Sequence, residues 1–168
     1  MSHPSPADLA RRPAPSPAPS PAPSPAPSPA LQEAIAVGVL SKDEKFKPTY
    51  TWALLLSRMQ PEARLLAHTL LWYARHSDGH ISPAYQPSVD ALVDATGLSP
   101  ARITTQLEIL RQRGWLHLGS VPDGPRAGGP RYELTIPVLY LEQVRAIRAE
   151  RLERQALNAR HAAARQRR

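Results

Sequence analysis

His76, Asp78 and His80 fall within the run His-Ser-Asp-Gly-His, and imidazoles and a carboxylate so spaced are ligand types for a divalent metal. A stable site needs a further strong ligand, and none stands nearby, so Ser77-Asp78-Gly79 reads better as a polar turn. The chain contains no Cys, which removes disulfides and thiolate ligands. Gly124, Gly128 and Gly129 match neither a P-loop nor a dinucleotide fingerprint, and they precede no helix. His68, in an apolar helical run, and His117, in a strand-like run, each stand without a nucleophile or an acid beside them. No enzyme, cofactor or metal is expected.

The remaining polar chemistry suits nucleic acid. From Ser99 to Arg111 the chain reads Ser-Pro-Ala-Arg-Ile-Thr-Thr-Gln-Leu-Glu-Ile-Leu-Arg. Ile103, Leu107 and Leu110 recur at i, i+4 and i+7, one buried helical stripe. Opposite them stand Pro100, Ala101, Arg102, Thr104, Thr105 and Glu108, with Gln106 and Arg111 flanking. Threonine hydroxyls bond base edges or phosphates, and an arginine can take guanine with two parallel donors. Ser99 and the first amides of such a helix can receive a phosphate. Arg126 and Arg131 flank a turn-rich loop and suit a minor groove or phosphates; equally, they suit the solvated tip of a hairpin.

Positioning these groups requires specific elements. Ser88 caps a helix whose Val89, Leu92 and Val93 share a face. Gly97 closes it in the left-handed region and Leu98 follows. Ser99 and Pro100 form the N-cap and first residue of the next helix, which Gly114 stops before Trp115 and Leu116 open a strand. A helix, a short glycine turn and a second helix make a helix-turn-helix, whose second helix can enter a major groove. The run from Trp115 to Val121 and the alternating Tyr132, Leu134 and Ile136 make a β-hairpin around the loop Pro-Asp-Gly-Pro-Arg-Ala-Gly-Gly-Pro. Before the unit, Thr51 to Met59 is an apolar helical segment. Pro61 and Glu62 then start a helix through about Arg75 that is apolar nearly all round and should be the central scaffold.

The stretch from about Trp52 to Pro137 resembles the winged helix-turn-helix of bacterial transcription regulators and of plasmid or phage replication initiators. The resemblance lies in Met59-Gln60-Pro61-Glu62-Ala63-Arg64-Leu65-Leu66, the polar turn at Ser77 to Gly79, Pro87-Ser88, Gly97-Leu98-Ser99, the apolar Ile103, Leu107 and Leu110, and Gly114-Trp115-Leu116. It implies a third short strand near His80 to Ser82 and binding of double-stranded DNA. A regulator would recognise one operator. An initiator would recognise repeated origin sites and meet a helicase or primase. In those relatives basic or amide side chains stand more often where Ala101, Thr104 and Thr105 stand, which implies a helix that reads few bases. A reading of another class makes the unit a protein-interaction module with a neutral docking face.

Charge distribution bears on this directly. The chain of 168 residues has a net charge of +7. Residues 1–47 carry five Lys/Arg against four acids, and residues 48–137 carry eight Arg against seven. Residues 138–168 carry eight Arg against Glu142, Glu150 and Glu153, so the excess sits in the C-terminal part. Arg145, Arg148, Arg151 and Arg154 recur at i+3 steps in an Ala-rich helical run. Leu141, Val144 and Ile147 give only its first half an apolar face. Such arginines neutralise phosphates without reading sequence.

The expected class is therefore α+β, mainly helical with a small hairpin. Residues 1–48 form a Pro/Ala/Ser-rich arm expected to be disordered, residues 49–137 the winged helix-turn-helix, and residues 138–168 a basic helix. Within the arm, Pro-Ala-Pro-Ser repeats from Pro13 favour polyproline II, and Leu31 to Leu40 fits a short helix or a strand. No apolar run reaches the ~20 residues of a membrane span, and no signal-peptide core is evident, so a cytoplasmic protein is expected. A homodimer would add affinity, with the C-terminal helix or Trp52 to Met59 as its interface.

Overall fold

The computed structural model describes residues 28–123 and 127–166. The segment that carries most of the Pro-Ala-Pro-Ser repeat, with its expected disorder, lies outside them. Among the described residues the protein is mainly α-helical with one antiparallel hairpin, an α+β arrangement.

The stretch from Leu31 to Leu40 divides between the two alternatives open to it. Helix α1 spans Pro29–Ala34, with the Ser28 hydroxyl accepting from the Leu31 amide. Val37 then bridges Pro137 in antiparallel fashion. The Gly38 N–H donates to the Ile136 carbonyl at 2.8 Å, and the Val138 N–H donates to the Ala36 carbonyl at 2.9 Å. This part of the expected arm is thus stitched to the segment that follows the hairpin.

Helix α2, Phe46–Leu56, starts before Thr49. No side chain caps it. Instead the free amides of Phe46 and Lys47 donate to the carbonyls of Ser77 and His76, a tertiary substitute for a local cap. Gly79, at φ 72°, makes this approach possible, because a Cβ there would sit 2.4 Å from the Phe46 ring. Helix α3, Pro61–Tyr73, packs on α2 and the later elements, as a scaffold should. It buries only one side, through Ala63, Leu66, Ala67, Leu70 and Leu71. Leu65 and Trp72 face outward, Trp72 being 83% exposed, so the helix that is apolar nearly all round leaves part of its apolar surface uncovered.

The helical pair follows its local signals. In α4, Val89–Thr96, the Ser88 hydroxyl accepts from the Ala91 amide, and Gly97 closes the helix at φ 70°. After Gly97-Leu98-Ser99, α5 spans Pro100–Gln112 and buries Ile103, Gln106, Leu107 and Leu110. Gly114 ends it at φ 73°, while the Trp115 N–H returns to the Leu110 carbonyl at 2.9 Å. Strands β1 (Leu116–Ser120) and β2 (Pro130–Leu134) pair with Leu118 opposite Tyr132.

No strand forms at His80 to Ser82. A side chain takes its place. Gln86, 2% exposed, accepts from the Tyr132 N–H at 2.9 Å and donates to the carbonyls of Tyr132 and Ile81 at 3.2 and 2.9 Å. The outer edge of β2 is thereby satisfied by one amide at its centre.

Helix α6, Val138–Gln166, buries Leu141 and Val144 and is exposed from Glu150 to Arg165. Its second turn is clamped to the segment ahead of α2. Arg145 donates through Nε and Nη2 to the two oxygens of Glu44, at 3.1 and 2.7 Å, and through Nη2 to the Val39 carbonyl. No described helix is long and apolar enough to cross a membrane.

Two predictions test these locks. Gly97 and Gly114 both have positive φ, but a Cβ on Gly97 meets open space whereas one on Gly114 would lie 2.3 Å from the Ile35 carbonyl oxygen. G97A should lose about 1–2 kcal/mol from the backbone alone, and G114A clearly more, in urea unfolding. Equal losses would mean that Ile35 does not dock there.

The second concerns Glu44, whose pKa is held down to about 2 from 4.5, first by the Arg145 guanidinium, against the opposing effect of burial. A depressed folded pKa gives stability that is fully present above the unfolded value and lost as pH falls. The stability gap between wild type and E44Q should therefore narrow from about pH 4.5 toward pH 2. A gap that stays constant over that range would discount the clamp.

Candidate nucleic-acid interface

Along α5 the buried stripe leaves Ala101, Arg102, Thr104, Thr105, Arg111 and Gln112 exposed, with Glu108 half-buried. Ser99 and Pro100 are exposed at its start. This side of the helix presents the residues that sequence spacing placed there, with one exception. Gln106 is 8% exposed and turns inward toward α3, so it does not flank the outer face.

The polar groups of that face already have partners within the protein. The Ser99 hydroxyl accepts from the Arg102 amide at 3.4 Å. The Thr104 and Thr105 hydroxyls donate to the carbonyls of Pro100 and Ala101, at 3.1 and 3.0 Å, which leaves their oxygens as acceptors. Arg102 donates through Nη1 to Glu62 Oε1 at 2.7 Å. Arg111 makes two bonds to Glu108, at 2.7 and 2.6 Å, and Gln112 adds a third to the same carboxylate. These hydrogen bonds, Arg111 first, hold the Glu108 carboxyl down to about 2, and the same pair raises Arg111. At about one ion pair per arginine, the face is close to neutral.

On the hairpin, Arg131 stands opposite Gly119 and pairs with Glu133. Arg126 lies outside the described residues. Of the four arginines at i+3 steps in α6, the first two are engaged by partners within the protein. Arg145 holds Glu44, and Arg148 donates to the Thr49 hydroxyl at 2.9 Å. Arg151, Arg154, Arg160 and Arg165 are exposed and make no ion pair among the described residues. The same holds for Arg113 at the end of α5.

The His76, Asp78 and His80 group forms a turn. Asp78 accepts from the His80 amide at 3.0 Å and pairs with Arg75 at 2.7 Å. The described residues hold no group of three or more potential metal ligands. Desolvation lowers the pKa of His68, with a further contribution from Arg64, and among the described residues no acid or nucleophile is bonded to it.

Two residues of this region carry no signal in the sequence that marks them as partners. Glu62 reads locally as a carboxylate in the first turn of a helix, and its partners are 40 and 44 positions away. Glu44 sits in a charged run with nothing to mark its pairing across 101 positions. No family model matches the chain, and comparison with curated proteins finds no match either.

Proposed function

We propose that the chain binds double-stranded DNA as a bacterial transcription regulator, through a winged helix-turn-helix built from α2 to α5 and the hairpin. The observation that carries this reading is the two-sidedness of α5. One side is locked into the core by Ile103, Leu107 and Leu110, while the other is covered by no element of the described chain. Thirteen residues give a helix of ~20 Å, a size that a major groove about 12 Å wide accepts. The small side chains of Ala101, Thr104 and Thr105 allow a close approach to base edges.

Attraction to the duplex comes mainly from elsewhere. The ion pairs of Arg102 and Arg111 reduce the charge that α5 offers to phosphates. Arg113, Arg151, Arg154, Arg160 and Arg165 supply that charge instead, with Arg126 adding to it, whereas Arg131 is paired with Glu133 as Arg102 and Arg111 are with their carboxylates. A replication initiator fits the same surfaces and differs in its sites, which would repeat within an origin. The self-neutralised face of α5 favours one reading of a different class, a protein-interaction module.

The test is a gel shift with duplex genomic fragments at about 50 and about 200 mM salt, a range over which phosphate-driven binding weakens steeply. The full chain should retain fragments at the lower salt. Removal of residues 151–168, all beyond the buried turns of α6, should weaken binding and flatten the salt dependence. The log–log slope should fall by about 0.9 for each phosphate that is no longer neutralised. Retention of no fragment at low salt by the full chain would sink the DNA reading in favour of the interaction module.

A further inference from the structure

Glu62 joins α3 to the outer side of α5 in a way that the fold alone does not require. Its two oxygens serve two residues of α5. Oε1 accepts from Arg102 Nη1 at 2.7 Å, and Oε2 accepts from Gln106 Nε2 at 3.3 Å. Gln106 is buried, so its amide has little room to move and tethers the carboxylate from the inside. The side chain of Glu62 is 34% exposed and that of Arg102 is 64% exposed. The series thus runs from a buried amide, through a half-buried carboxylate, to an exposed guanidinium.

Arg102 is held by Nη1 alone. Its Nε and Nη2 make no hydrogen bond with the described residues, and together they form the side-on fork of a guanidinium, two N–H groups pointing the same way. That fork matches the adjacent O6 and N7 acceptors of guanine in a major groove. A long free arginine gives up rotamer entropy when it binds. A carboxylate already bonded to Nη1 takes part of that loss before DNA arrives.

Charge distinguishes a base from a phosphate as the target. With Glu62 at 2.7 Å, the guanidinium is largely neutralised, and a phosphate brought to its other edge would also meet the carboxylate's repulsion. A guanine edge is uncharged and needs only the fork.

We propose that Glu62 is a positioning residue that presents the Nε–Nη2 fork of Arg102 to a guanine in the major groove, making the pair the specificity determinant of α5. This rests on the DNA-binding reading above.

The experiment is selection from a randomised DNA duplex pool by the full-length wild type, E62Q and R102K. Affinities are then measured for the enriched site and for its single-base changes. Wild type should require guanine at one position. R102K keeps the charge but loses the fork, and should lose about tenfold of that preference. E62Q should lose most of the same preference at the same position, while its affinity for unrelated duplex is unchanged or higher, because a negative charge has gone. The double variant should be no worse than R102K, as expected for residues acting in series.

Thermal unfolding of each variant accompanies these measurements, since a purely structural Glu62 would lower the melting temperature and weaken all sites alike. Uniform weakening with the guanine preference intact overturns the proposal, as does an R102K protein that keeps the wild-type preference. If wild type enriches no sequence yet retains duplex, the proposal alone falls. If it retains no duplex at all, the DNA-binding reading falls and the proposal with it.

Discussion

The packing around Trp115 is the constraint on which the remaining structure depends. This residue is fully buried and stands where α5 hands over to β1. Tyr50 of α2 meets it edge-on with ring centroids 5.5 Å apart, and Tyr140 of α6 lies against it at 5.2 Å. Phe46 stacks on Tyr50 at 5.3 Å. Aromatic pairs of this kind contribute about 0.5–1.5 kcal/mol each beyond their buried area, and here they join segments from both ends of the described chain. The Tyr50 hydroxyl has no hydrogen-bond partner among the described residues, and burial pushes its pKa far up. An unbonded buried hydroxyl costs about 1–3 kcal/mol, so the ring packing outweighs a real penalty. The end of α5 is consequently fixed by residues on either side of the helical pair.

A hairpin of two strands is marginal by itself in water. This one is made stable by what lies on its inner face and along its edge. Tyr132, Leu134 and Ile136 are all buried, which secures the register, because a one-residue slip would turn all three outward. The edge of β2 would otherwise leave the N–H and carbonyl of Tyr132 without partners. Gln86 supplies both, and its third bond to the Ile81 carbonyl ties the edge to the loop after α3. One buried amide thus performs at a single point what a third strand would do along a line.

The parts of this architecture that can be read in the sequence are those whose causes are local. Ser88, Gly97, Ser99 and Pro100 announce a helix end, a turn and a helix start within a dozen or so positions, and the structure follows them residue by residue. The alternation of Tyr132, Leu134 and Ile136 marks its own buried face. What stays hidden depends on groups far apart in the chain. Nothing near Phe46 signals that its amide finds Ser77, nor does Gly114 reveal that its missing side chain makes room for Ile35. Gln106 reads as a surface amide because a polar residue beside an apolar stripe usually faces water, and only the carboxylate of Glu62 explains its burial. The outward face of α5 is legible as a set of residues, but its electrostatic state is not, since Arg102 is balanced from another helix.

That balance separates two properties that DNA-binding surfaces often combine in the same side chains. A face crowded with free arginines attracts any duplex, and the attraction masks differences between sequences at low salt. On α5 the arginines are paired, so a duplex gains little there from charge alone and would gain mainly from matched hydrogen bonds. Most of the arginines that make no ion pair among the described residues instead lie along α6, a helix of 29 residues with a rise of ~43 Å, whose outer part packs on nothing in the described chain. Charge carried at that distance would draw in phosphates without dictating which bases face α5. In the DNA-binding reading, affinity and selectivity then reside on different helices, joined through the Trp115 cluster, and each can be altered with little effect on the other.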